Sequence, residues 1–225
     1  GGDNEWSTPA NWGEDQPPDA STPAFFGSGT VPNQSINVAS DVTAEGIEFD
    51  DRIDGTFTLT GTSTISLTTG IVNEQADVVT INPMIRILDG DFTISSFEES
   101  LPGNELVING GIFAQTSATL AVDASSEENS NVILNGDLAF SITEVDFTGA
   151  GTKNLNGMGN AYSGGTTISG GTLNVGGNLP SGTMVSVGAG AVVNMLEDSI
   201  FGWRLDTSTA VPAGVLNQGT YNRFD

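Results

Sequence analysis

The sequence predicts an all-β fold of the solenoid type: a right-handed parallel β-helix with three short strands per coil and capped ends. Three observations predict it. Apolar residues come as alternating runs of three or four, separated by Gly, Asn, Asp and Ser, with almost no helical periodicity. The runs recur at a near-constant interval. Ile81 to Ile108 is 27 positions and Ile108 to Leu134 is 26; Ile87 to Ala114 is 27 and Ala114 to Phe140 is 26. Three strand-like runs fall in each interval, which is the signature of a coil. Strands this short cannot hold a conventional sheet together. Stacked on an equivalent strand about 4.8 Å away they gain a continuous hydrogen-bond ladder, and the stack buries an apolar face that one coil cannot. A sandwich would want longer strands joined by hairpins. The Asn109-Gly110, Asn135-Gly136 and Asn156-Gly157 pairs each follow a run of only a few residues, and two of them recur at 26 positions, as a repeated corner would.

Taken in order, residues 1–34 differ from the rest. Trp6, Trp12, Phe25 and Phe26 stand among Pro9, Pro17, Pro18 and Pro23. A bare solenoid end exposes strand edges and core, so these aromatics are expected to cap it. Residues 35–198 are expected to form the solenoid. Its first strands are Ser35–Val38, Gly46–Phe49, Thr56–Leu59 and Thr64–Leu67. Three triplets follow: Val79–Ile81, Ile85–Ile87 and Phe92–Ile94; then Leu106–Ile108, Ile112–Ala114 and Leu120–Val122; then Val132–Leu134, Leu138–Phe140 and Val145–Phe147. The coils then tighten, with Leu173 to Val193 only 20 positions apart. Residues 199–225 hold Phe201, Trp203, Val215, Leu216, Tyr221 and Phe224, and are expected to form a C-terminal cap or an extension.

Composition narrows the chemistry. The chain has 225 residues, 37% of them hydrophobic, and 30 are Gly, well above the usual share. It has neither Cys nor His, so disulfides, thiol nucleophiles, Ser-His-Asp triads and His-based zinc sites are all excluded. Five Lys and Arg face 28 Asp and Glu, a formal net charge of -23. Nucleic acid is a poor partner for such a field, and so is an anionic membrane surface. No apolar run approaches membrane-spanning length, so this chain is not expected to insert into a bilayer. No leader segment is visible, so an exported protein is expected here as its mature chain.

Residues 149–176 read GAGTKNLNGMGNAYSGGTTISGGTLNVG. This stretch resembles the autotransporter-associated β-strand repeat, also called the passenger-associated transport repeat, of secreted bacterial proteins. The resemblance runs in order through Gly149, Gly151, Thr152, Leu155, Gly157, Asn160, Tyr162, Gly164, Gly165, Thr166, Thr167, Gly171, Thr172, Leu173, Val175 and Gly176. The family's usual Leu after GAGT is Lys153 here, which is read as an exposed position. The W-x-x-x-x-x-W spacing of Trp6 and Trp12, followed by Phe25-Phe26, is similar to the segment that often precedes these repeats. The resemblance implies a parallel β-helix at the bacterial cell surface or outside the cell, with a structural rather than catalytic role: matrix, fibre or adhesin. The sequence carries no membrane β-barrel, so self-secretion is not claimed for this chain.

The candidate sites are few. Asp50, Asp51 and Asp54 cluster around Arg52 in EFDDRIDG, a weak calcium candidate that lacks the spacing of a dedicated loop. No other cofactor is expected and no catalytic residue is assigned. Two further acidic runs, at Glu98–Glu99 and Glu127–Glu128, fall at equivalent passages of successive coils and read as a solvated edge. Thr56, Thr58, Thr60, Thr62 and Thr64 alternate, but Thr is also an ordinary outward strand residue. The expected partners are other copies of the chain or other cell-surface components. Val215, Leu216, Tyr221 and Phe224 are the residues expected to mediate self-association by adding a strand to a neighbour. A carbohydrate-binding or polysaccharide-cleaving β-helix is the alternative, and it makes glycan a candidate ligand. The paired basic residues and His that such enzymes carry are missing here.

Overall fold

A computed structural model describes residues 3–12, 16–27, 34–50, 55–74, 78–97, 104–124, 130–180, 183–196, 200–201 and 204–205, the last two pairs by backbone alone. The chain is a parallel β-solenoid. It winds through three faces in a fixed order: a first face of eight strands, a second of four and a third of nine. Every pairing between its strands is parallel.

The coil arithmetic translates directly into register. On the first face Ile81 pairs with Ile108 and Ile108 with Leu134. On the second, Ile87 pairs with Ala114. On the third, Phe92 pairs with Leu120 and Leu120 with Val145. Period-two alternation sends every second side chain inward. Ile47, Ile71, Ile94, Val122, Phe147, Ile168 and Val187 therefore form one stacked column, and all but the partly buried Val187 are fully buried.

The second face does not persist. It holds Val42–Ala44, Thr64–Leu67, Met84–Ile87 and Ile112–Ala114, and then stops. The sequence predicts a further strand at Leu138–Phe140. Only Leu138 bridges, to Ile112; the chain then turns, with the Ile142 amide donating to the Ala139 carbonyl at 3.0 Å, and Phe140 is 73% exposed. From there the first and third faces continue as strands while the second becomes irregular, apart from Asn178–Leu179 pairing with Ile200–Phe201. Three strands per coil thus describes the N-terminal coils, and the later ones are built differently. The Ala24–Phe26 strand pairs with Ile47–Phe49 and begins the third face, so sheet bonding reaches N-terminal of residue 35.

Corners after the first face are tied by amides. Asn109 donates Nδ2–H to Asn82 Oδ1 at 2.8 Å, Asn135 to Asn109 at 2.8 Å, and Asn156 to Asn135 at 2.9 Å. A second ladder runs from Asn194 to Asn174 to Asn154, each step 2.9 Å. The first ladder lies at the corners that the recurring Asn-Gly pairs mark in the sequence, while the second runs along the first-face strands themselves. Stacked amides of this kind bond each coil to the next along the solenoid axis.

Candidate functional site

The repeat-like segment occupies the coils whose second face has lost its strand. Gly149 sits at φ 76°, a left-handed conformation that side chains rarely adopt, in the tight turn between the third face and the first. Such turns replace the longer passages of the N-terminal coils. Gly164 is needed for a different reason: a Cβ there would collide with the Thr143 carbonyl of the coil below.

Lys153 is not exposed. Its strand, Thr152–Leu155, pairs with Asn131–Leu134 and Thr172–Val175, which sets Lys153 in the inward column between Val132 and Leu173. It is fully buried. Inward alternation decides the direction, since Leu155 two residues on also points into the core. The ammonium donates to three backbone carbonyls: Gly149 at 2.9 Å, Gly151 at 3.1 Å and Gly170 at 2.9 Å. Three N–H donors meet three acceptors, so the buried charge is satisfied. Burial lowers its pKa from 10.5 to about 8, with the nearby Asp123 carboxylate pulling the other way.

Asn160 stands in for the missing strand. Its Oδ1 accepts from the Leu138 amide at 2.8 Å, in the coil before. Its Nδ2 donates to the Gly157 carbonyl at 2.8 Å in its own coil and to the Asn178 carbonyl at 2.9 Å in the coil after. The Asn160 amide donates to Asn178 Oδ1 at 2.9 Å, and Asn178 Nδ2 donates back to the Asn160 carbonyl at 3.1 Å. One side chain therefore clamps three coils. Tyr162 fills the core beside it, 1% exposed, with its hydroxyl 2.7 Å from Thr166 Oγ1. Thr166 lies in the inward column between Val145 and Val185, so this contact satisfies the one hydroxyl there. Burial raises the Tyr162 pKa to about 12, partly offset by the Thr166 bond.

At the other end, the Trp6 and Trp12 rings meet edge to face at 5.0 Å, and both contact Phe26, at 5.8 and 5.4 Å. Phe26 stacks in turn on Phe49 and meets Phe57 at a tilt, 4.8 Å between ring centroids. Trp6 is 1% exposed, its amide donates to the Asn37 carbonyl, and Trp12 Nε1 donates to the Trp6 carbonyl at 2.6 Å. These aromatics cover the apolar end of the first coil. Phe25 points outward by alternation and is half exposed. Trp6→Ala is expected to lower stability by about 3 kcal/mol, the low end for a buried Trp because it packs against the outermost described first-face strand rather than between coils. Urea unfolding followed by circular dichroism measures it.

The remaining sequence candidates fall mostly outside the described residues. Asp50 is placed at the end of the Ile47–Phe49 strand, while Asp51 and Asp54 lie outside, as do Trp203, Val215, Leu216, Tyr221 and Phe224. Phe201 belongs to the backbone-described strand Ile200–Phe201. The acidic runs at 98–99 and 127–128 also lie outside. Among the described residues, no group of three or more Asp or Glu side chains is disposed to hold a metal, and no helix is long and apolar enough to cross a membrane.

The described residues define a parallel β-solenoid whose tight coils are clamped from within. Residues 148–175 match the model of the passenger-associated-transport-repeat, so the chain carries that repeat. The repeat is a structural unit, not an enzyme family. Comparison with curated proteins gives no match, and neither does comparison with solved structures.

Proposed function

We propose that the chain is a rigid, exported structural module, the rod-like part of a bacterial surface or extracellular protein. The observation that supports this reading best is the clamp of Lys153, Asn160, Tyr162 and Thr166. Asn160, Tyr162 and Thr166, which match the repeat, and Lys153, which departs from it, are all buried and spent on holding coils together. The acidic surface suits a hydrated, soluble exterior. On this reading the chain is no catalyst. Self-association is the finer part of the proposal. The aromatic cap covers the N-terminal end, so contact between copies belongs to the other end, through Val215, Leu216, Tyr221 and Phe224. Such a contact is heterologous and does not close, which makes fibres.

Hydrogen exchange, small-angle scattering and negative-stain microscopy test both parts. The eight first-face strands among the described residues make seven steps, so that part of the stack is expected to span about 34 Å at about 4.8 Å per step. Hydrogen exchange that leaves the strands of all three faces unprotected would overturn the rigid stack. Fibres or concentration-dependent oligomers that vanish on truncation after residue 205 support end-to-end association. A monomer at every concentration rejects association and leaves the rod standing.

A further inference from the structure

The end of the second face leaves a groove that the clamp does not use. It measures about 510 Å³ and opens where the strand Ile112–Ala114 has no full strand after it. Met84, Phe113 and Ala139 supply its apolar surface; Asn109, Asn135 and Asp137 supply its polar side. Met84 is 44% exposed, and Phe140, which follows Ala139 in the turn, is more so. Large apolar side chains left open on so acidic a surface mark a place where something docks.

The polar side is pre-arranged. Asn109 and Asn135 each give one Nδ2–H to the ladder and accept one bond on Oδ1. Each amide nitrogen carries two hydrogens, so each keeps a second donor, held at the coil repeat of about 4.8 Å. Asp137 accepts the Gly159 amide on Oδ1 at 2.7 Å and keeps Oδ2 as an acceptor. A row of fixed donors and a carboxylate beside an aromatic ring is the arrangement that takes a polyhydroxylated chain with one apolar ring face.

Other occupants fit less well. A peptide adding a strand needs free backbone groups at the edge. Here the Ile112 amide donates to the Asp137 carbonyl, the Ile112 carbonyl accepts the Ala139 amide, and the Ala114 amide donates to Ser141 Oγ. An anionic chain meets Asp137 and a net charge of -23. Arg86, which pairs with Phe113 in register, gives its Nε–H to Ser66 Oγ at 2.9 Å and is not among the residues lining the groove.

We infer that this groove is a binding site for an uncharged oligosaccharide, with Phe113 as the stacking platform and Asn109, Asn135 and Asp137 as the hydroxyl partners. The site borders the clamp, since Gly159 lines it beside Asn160 and the clamped Leu138 lies between Asp137 and Ala139, and it holds whether or not copies of the chain associate. The test is calorimetric titration with cellohexaose and chitohexaose, with a galacturonic acid hexamer as the charged control, alongside amide chemical-shift mapping. Binding of at least one uncharged hexamer is expected, with shifts centred on residues 84, 113 and 139. Phe113→Ala should weaken it at least tenfold and Asp137→Asn at least threefold, while Phe113→Tyr should retain it. Phe113 is only partly buried, so the variants are expected to fold, and circular dichroism checks each one. Failure of both uncharged hexamers to bind overturns the inference. So does equal binding by Phe113→Ala, or tighter binding of the charged hexamer. Dimerisation that Phe113→Ala abolishes, without sugar binding, would assign the face to a second copy instead and also overturns it.

Discussion

Asn160→Ala should destabilise the solenoid by about 4 kcal/mol, the sum of several lost bonds to partners that stay buried. The Leu138 amide loses its acceptor, and the Gly157 and Asn178 carbonyls lose donors. Asn160 itself is 4% exposed, so water cannot simply take its place. Asn160→Asp separates the roles. It keeps Oδ1 for Leu138 but turns the donor side into an acceptor facing two carbonyls, so it should do at least as much harm. Solenoid stability is carried by contacts between neighbouring coils. The damage should therefore appear first around the second face, as faster hydrogen exchange at Leu138 and Ala161, whose amides bond across it. Equal stability of Asn160→Ala and wild type in urea would show that the clamp is incidental.

The strand positions and their register were legible because they obey period-two alternation and a coil period, both of which are properties of the chain alone. Ile81, Ile108 and Leu134 illustrate it. What was not legible depends on how one coil meets the next. Phe140 follows the spacing of the coil before, but the Ala139–Ile142 turn takes it off the sheet. Lys153 has the character of a surface residue; only the three carbonyls brought together by the two glycine turns make its burial tolerable. The Asn ladders lie between these cases. The recurrence of Asn-Gly pairs locates the corners, while the amide-to-amide bonding needs the stacked backbone. The groove had no sequence signal at all, because it is the space left by a strand that fails to form.

Lys153 should give the protein an alkaline stability profile of its own. In the folded chain its pKa is about 8, against 10.5 for the free side chain, because burial penalises the charge. Between those values the unfolded chain binds more protons than the folded one, so stability rises with pH across the window. Below about pH 8 both states are protonated and this group adds no pH dependence. Tyr162 acts in the opposite sense. Its pKa is raised from 10.0 to about 12, so the folded chain holds its proton longer and stability falls above pH 10. The rise between pH 8 and 10 is therefore the part that belongs to Lys153, and urea midpoints of wild type and Lys153→Met isolate it. The rise should be absent in Lys153→Met, which keeps the volume and removes the titration. Lys153→Ala should cost about 4 kcal/mol at pH 7, since it opens a cavity between Val132 and Leu173 and strips donors from Gly149, Gly151 and Gly170. Lys153→Leu, the family's own residue, loses the same donors but avoids both the cavity and the buried charge. It should fall well short of that cost, because replacing a satisfied buried charge with an apolar residue of similar size is often neutral. A Lys153→Leu protein as unstable as Lys153→Ala would mean that the carbonyl cradle, rather than the filled core, holds these coils together.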